Sequence, residues 1–114
     1  MELFFAVKQN MQTMLEYSQK EYALYKKTQE IVYMQQAGEK LFNAIENYIQ
    51  FKYKNQARSF FELKNLVRDK SLKNLLYSAK SLHQFFYNGE LEMDVADVEE
   101  LYLDVLKQFL TILK

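Results

Sequence analysis

His83 is the one side chain of this sequence that titrates near neutral pH without help from its surroundings. It lies in Leu82-His83-Gln84-Phe85-Phe86-Tyr87-Asn88-Gly89, which also holds three consecutive aromatics and one of the two glycines. An acid–base or nucleotide-contacting role for His83 requires a carboxylate or an arginine from a neighbouring element. Arg58 and Arg68 are the arginine candidates, and with His83 they would make a ribonuclease or a nucleotide site. The preferred reading is structural: a neutral core histidine, hydrogen-bonded to a polar group of a neighbouring helix, because buried polar groups are normally satisfied internally. No residue is therefore assigned as catalytic, and His83 stands as the weak candidate.

Charge offers a second kind of chemistry. Fifteen basic residues balance fifteen acidic ones, yet the two signs are segregated along the chain. From Lys52 to Lys80 the bases Lys52, Lys54, Arg58, Lys64, Arg68, Lys70, Lys73 and Lys80 face only Glu62 and Asp69. Tyr53, Phe60 and Phe61 are interleaved with them, a pattern that suits RNA or nucleotide contact through charge and stacking. The preferred alternative is a solvated face, or a surface complementary to the acidic run Glu90, Glu92, Asp94, Asp97, Glu99, Glu100 and Asp104 within a dimer. Glu21 and Glu99 fall at the edges of apolar helix faces and are expected to snorkel or pair at an interface.

Other chemistries have no foothold in the sequence. With no cysteine there is no thiolate nucleophile, disulfide or thiolate metal site. One histidine leaves only carboxylates as metal ligands, and no calcium-loop pattern is present, so no metal is expected. Phosphate loops, dinucleotide glycine patterns and nucleophile elbows are also missing, and no cofactor is expected. Met1 to Val7 is apolar but short and lacks a basic leader, and no uncharged apolar run nears the roughly 18–20 residues of a membrane span. The chain is expected to be cytoplasmic, with no membrane partner.

The elements that would position these side chains read as helices throughout. In 114 residues there is no proline, only two glycines, and 49% hydrophobic residues including nine Phe and nine Tyr. Good helix formers dominate, and strict alternation never persists long enough for a half-buried strand. Leu3, Val7, Met11, Met14, Tyr22 and Tyr25 mark one face of a helix over about 3–27, opposite Gln9, Gln12, Glu16, Gln19 and Lys27. Thr28 is an N-cap candidate for a second helix over about 29–53, with Ile31, Met34, Leu41, Phe42, Ile45, Tyr48 and Ile49 inward. Glu39, Asn43, Glu46 and Gln50 are placed on its solvated side, and Gly38 is read as a point of close backbone approach.

Ser59-Phe60-Phe61-Glu62 matches a capping box and predicts a short helix over about 60–68, with Phe60, Leu63 and Val67 inward. Ser71 is then available to cap a helix over about 72–88, and Gly89 suits its left-handed terminus. On that helix Leu72, Leu75, Leu76, Ala79, Leu82 and Phe86 share a face with His83. Asp94 caps a last helix over about 95–113, with Met93 and Val98 as a hydrophobic staple. Its apolar face (Val95, Val98, Leu101, Tyr102, Val105, Leu106, Phe109, Ile112 and Leu113, widened by Leu103 and Leu110) is wide enough for the bundle and a partner chain. Leu101, Tyr102, Val105, Phe109 and Ile112 are the expected dimer interface.

Two segments carry a family resemblance. Gln36-Ala37-Gly38-Glu39-Lys40-Leu41-Phe42-Asn43-Ala44 resembles the Q-A-x-E-K-L-aromatic-x-A second helix of archaeal PaREP-type proteins. Ala79-Lys80-Ser81-Leu82-His83-Gln84-Phe85-Phe86-Tyr87-Asn88-Gly89-Glu90-Leu91 resembles their A-x-x-L-H-x-N-F-Y-E-G-x-L segment, with Phe85 in place of the asparagine. The likeness runs from about Thr28 to the end of the sequence. It implies the HEPN superfamily of helical bundles, which often dimerise and include ribonucleases as well as modules that work beside nucleotidyltransferases. The nuclease members place an arginine four to six residues before the histidine, whereas Arg68 precedes His83 by fifteen.

The sequence thus predicts an all-α, up-and-down four-helix bundle of HEPN-like type with one short extra helix, forming one domain over 1–114. The expected function is a non-enzymatic interaction and dimerisation module, with a nucleotidyltransferase or other protein as its implied partner. The alternative is an RNA- or nucleotide-binding protein or ribonuclease using His83, with nucleic-acid contacts at Lys52, Lys54, Arg58, Lys64, Arg68 and Lys73.

Overall fold

A computed structural model describes the backbone of residues 2–57, 59–88 and 94–114, and the side chains of 5–57, 59–85 and 94–114. Its elements are α1 (Glu2–Thr28), α2 (Ile31–Tyr53), α3 (Phe60–Leu66), α4 (Lys70–Asn88) and α5 (Val95–Leu113), and no strand occurs among the described residues. The all-helical expectation holds. Leu3, Phe86, Gly89 and Met93, together with the acidic residues Glu90 and Glu92, fall outside the described side chains or backbone.

Local chemistry sets the helix boundaries. Gln29 takes a left-handed φ of 61°, and its amide closes on the Tyr25 carbonyl at 2.7 Å, so α1 ends there rather than running into α2. Thr28 does not cap α2 but completes α1, its hydroxyl donating to the Leu24 carbonyl at 2.9 Å. Lys54 ends α2 in the same left-handed conformation, φ 50°. Ser59 caps α3 by accepting from the Glu62 amide at 3.0 Å, and Asp94 caps α5 by accepting from the Asp97 amide at 2.9 Å. The cap of α4 is a correction: Asp69 Oδ1 accepts from the Leu72 amide at 3.1 Å, and α4 starts at Lys70, so Ser71 lies inside it.

Cross-links between helices give their directions. Asn10 Nδ2 donates to Asn47 at 3.3 Å and Ser18 Oγ to the Ala37 carbonyl at 2.7 Å, which sets α1 antiparallel to α2. The Arg68 amide meets the Tyr53 hydroxyl at 3.4 Å and His83 meets Glu39 at 2.8 Å, so α4 runs back along α2. Tyr48 meets Phe109 edge-on at 5.6 Å while Lys26 pairs with Glu99 at 2.9 Å, so α5 runs parallel to α2 and against α1. Short α3 packs on α2. One core joins Met34, Leu41, Ile45 and Ile49 of α2 to Leu72, Leu75, Leu76 and Leu82 of α4 and to Val98, Tyr102, Val105 and Phe109 of α5. Ile31, expected inward, is 49% exposed because α2 has only just begun there.

Candidate functional site

The closest approach of α2 and α4 builds the surroundings of His83. A Cβ on Gly38 would stand 3.2 Å from the Leu82 Cβ, tighter than ordinary van der Waals contact, so glycine is what lets the two helices meet. The next residue on each helix then comes within reach: His83 Nδ1 lies 2.8 Å from Glu39 Oε1. That contact is a ring-nitrogen to carboxylate hydrogen bond that ties the two helices together. The Phe42 ring sits 4.6 Å from the imidazole, centroid to centroid, and fixes its tilt. Glu46, two turns along α2, and Lys80, one turn back along α4, continue the polar seam. Burial, reinforced by the charge of Glu39 and opposed by Lys80, pushes the Glu46 carboxyl up to about 7.

This geometry corrects the solvated face assigned to α2. Glu39 is buried at 7% exposure and Glu46 is half-buried. Both stand at helical spacing from Phe42 and Ile45, on the flank of the apolar stripe, a spacing that could have marked them in the sequence. His83 is half-buried at the rim of the seam, with its side chain 27% exposed, rather than sunk among leucines. It does have the polar partner on a neighbouring helix that was expected, and the partner is a carboxylate. Arg68 is not beside it. The rise of α4 from Lys70 to His83 sets the two ends about 20 Å apart, and Arg68 is exposed beyond α3. Arg58 lies outside the described residues. Among the described residues no group of three metal-ligating side chains occurs.

A second buried polar cluster ties α1 to α5. Ser18, fully buried, donates to the Ala37 carbonyl, and its oxygen lies 2.8 Å from the Tyr102 hydroxyl. Burial pushes the Tyr102 phenol up to about 12, against the effect of the hydrogen bond it shares with Ser18. The Tyr22 ring stacks on Tyr102 at 5.0 Å and donates its hydroxyl to Glu99 at 2.6 Å, where Lys26 also pairs. Hydrogen bonds from Tyr22 and then Lys26 hold the Glu99 carboxyl below its usual range. Glu99 therefore pairs at a helix interface, as expected of it.

The same cluster buries residues that were expected at a dimer interface. Tyr102, Val105 and Phe109 have no exposed area within one chain, because α1 and α2 supply the groups that cover them. Leu101 and Ile112 are half-buried. The part of α5 open to solvent is the next strip round, with Leu103 43% and Leu110 37% exposed beside Leu106. Ser18 was missed in the sequence, although it falls at the same spacing as Met11, Met14, Tyr22 and Tyr25.

The predicted nucleic-acid contacts gather at one end. Lys52 and Lys54 close α2, Lys64 is on α3, Arg68 follows it, and Lys73 opens α4. Lys54 Nζ lies 3.7 Å above the Phe51 ring, with Lys8 at 5.6 Å, and Lys64 lies 5.3 Å above Phe61. Phe60 meets Tyr77 edge-on at 5.4 Å and carries Lys80 at 4.8 Å. Phe60 is half-buried, whereas Phe61 is 66% exposed.

Comparison of the chain with protein-family models, with curated proteins and with solved structures finds no match. No helix among the described residues is long and apolar enough to cross a membrane.

Proposed function

We propose that this chain is a non-enzymatic helical interaction module of HEPN-like, PaREP-type character, working as a homodimer in an archaeal cytoplasm beside a partner such as a nucleotidyltransferase. The observation that carries the reading is the engagement of its single histidine: His83 joins α4 to α2 through Glu39, under the Phe42 ring. The two segments that carry the family resemblance are the ones that meet there, at Gly38–Leu82 and Glu39–His83. Helix packing accounts for these residues.

The solvent strip of α5 supplies the surface for association. Glu100, Leu103, Lys107, Leu110 and Lys114 lie three or four residues apart on its exposed side. Pairing two copies antiparallel about Leu106–Lys107 sets Leu103 of one opposite Leu110 of the other, and Glu100 one position from Lys114. Such a contact is self-complementary, as a two-fold dimer requires. Two measurements test the reading. Sedimentation velocity is expected to show a dimer, and labelled RNA is expected to stay intact with both the wild type and His83→Ala. A monomer at high concentration overturns the dimer, and cleavage that His83→Ala abolishes overturns the non-enzymatic reading.

A further inference from the structure

Where α2 hands over to α3, the chain turns through a shallow open hollow lined by Asn55, Ala57, Phe61, Glu62, Asn65 and Leu66. Its floor is apolar, with Ala57 buried and Leu66 half-buried, while Asn55 and Asn65 are exposed at its edge. Phe61 is the most exposed large hydrophobic of the described residues, at 66%. Core packing does not explain it, since Leu63 and Val67 already fill the inward positions of this segment. A capping-box helix needs nothing from its second residue, so a large ring at that position serves whatever reaches it from outside.

We propose that this corner is a docking surface for a single-stranded nucleic acid, with a base stacked on Phe61 and the backbone phosphates held by the lysines around it. Three observations converge. The charge is complementary to phosphate: Lys52, Lys54, Lys64, Arg68, Lys70 and Lys73 stand on the elements that meet here, against Glu62 and Asp69. Three phenylalanines of this end have a lysine above or beside them, which pairs a stacking platform with a phosphate contact (Phe61 with Lys64, Phe51 with Lys54, Phe60 with Lys80). Asn55 and Asn65 each offer an amide donor and an acceptor, the combination that reads a base edge. The strand must be single because a paired base keeps its faces stacked within the duplex and cannot reach Phe61. Tyr77, 47% exposed against Phe60, provides a second platform along the same path. The hollow shares no residue with the exposed α5 strip.

Fluorescence anisotropy with an end-labelled single-stranded RNA of about 12 nucleotides, within the site sizes common for such surfaces, tests the proposal. The wild type is expected to bind, and to weaken with salt at a slope of about −0.7 per phosphate contacted. Phe61→Ala, a change at an exposed ring, is expected to raise Kd at least about fivefold. Lys64→Gln should make the salt slope shallower. Tyr17→Ala serves as the control: it removes another exposed ring with a lysine above it, Lys20 at 5.9 Å, on α1. It should leave Kd unchanged. No binding by the wild type at low salt, an unchanged Kd for Phe61→Ala, or an equal loss with Tyr17→Ala overturns the proposal. Equal or tighter binding of an RNA duplex or a Glu-rich peptide also overturns it, the latter in favour of an acidic protein partner.

Discussion

Glu39 follows Gly38 directly, and that adjacency is why a carboxylate ends up buried beside an imidazole. The glycine draws α4 in, and the neighbouring side chain is carried into the seam with it. Glu46, one helical repeat on, is buried by the same approach. Its carboxyl titrates near 7 in the fold against an ordinary value of 4.5. Below about pH 4.5 it is protonated in both states, and its neutral form sits in the seam without penalty. Between about 4.5 and 7 the unfolded chain loses the proton while the folded one keeps it, so stability falls as pH rises. Glu46→Gln is expected to remove that slope, leaving stability near pH 4 little changed and raising it at pH 8 by on the order of 1–2 kcal/mol. Urea unfolding at the two pH values measures it, and parallel wild-type and variant pH profiles would refute it. Position alone placed His83 correctly between helices in the sequence. It did not reveal Glu39, because a Glu beside an apolar stripe is usually solvated, and only the distance between two helices decides otherwise.

At the scale of helices, the ends were more legible than the faces. Ser59 and Asp94 cap through bonds reaching three residues, so the sequence contains everything that matters to them. Asp69 and Ser71 are both competent caps two residues apart, and the choice depends on how the chain leaves α3, which no local pattern records. The side of α5 that turns inward depends on Ser18 and Tyr22 of α1, some eighty residues away in sequence, so periodicity marked a wide apolar face without dividing it. Helix spacing supplies the test here. Gly38→Ala gains about 1 kcal/mol of helix propensity but sets a methyl against the Leu82 Cβ, which is fixed to the α4 backbone and cannot rotate away. Overpacking of this kind costs about 1–3 kcal/mol. A net loss of about 1 kcal/mol is expected in chemical unfolding, and a stabilised variant would show that α4 yields freely.

For the molecule as a whole, the inward face of α5 serves folding, and its exposed strip is the one proposed for assembly. Phe109→Glu buries a charge where no area is exposed and removes an aromatic worth about 3–5 kcal/mol, a large part of the 5–15 kcal/mol typical of a domain. It is expected to abolish the cooperative unfolding transition in circular dichroism. Leu103→Glu and Leu110→Glu should keep that transition and instead shift sedimentation from dimer to monomer. If Phe109→Glu folds normally, or if both leucine variants sediment as wild type, the division of α5 is wrong. The long axis of 41 Å also keeps the charge blocks apart, since the bases gather where α2 ends and the acids Asp94, Asp97 and Glu99 sit where α5 begins. Neutrality in the sum therefore conceals a polarised body.

A lone imidazole wedged between two helices has a practical consequence. In a proton spectrum it contributes one pair of ring signals with no other histidine to confuse them. The Phe42 ring 4.6 Å away displaces those signals by its ring current, and the displacement fades steeply with distance. Any event that parts α2 from α4, whether heat, a substitution at Gly38 or the arrival of a partner, becomes readable on the unlabelled protein as the drift of a single resonance.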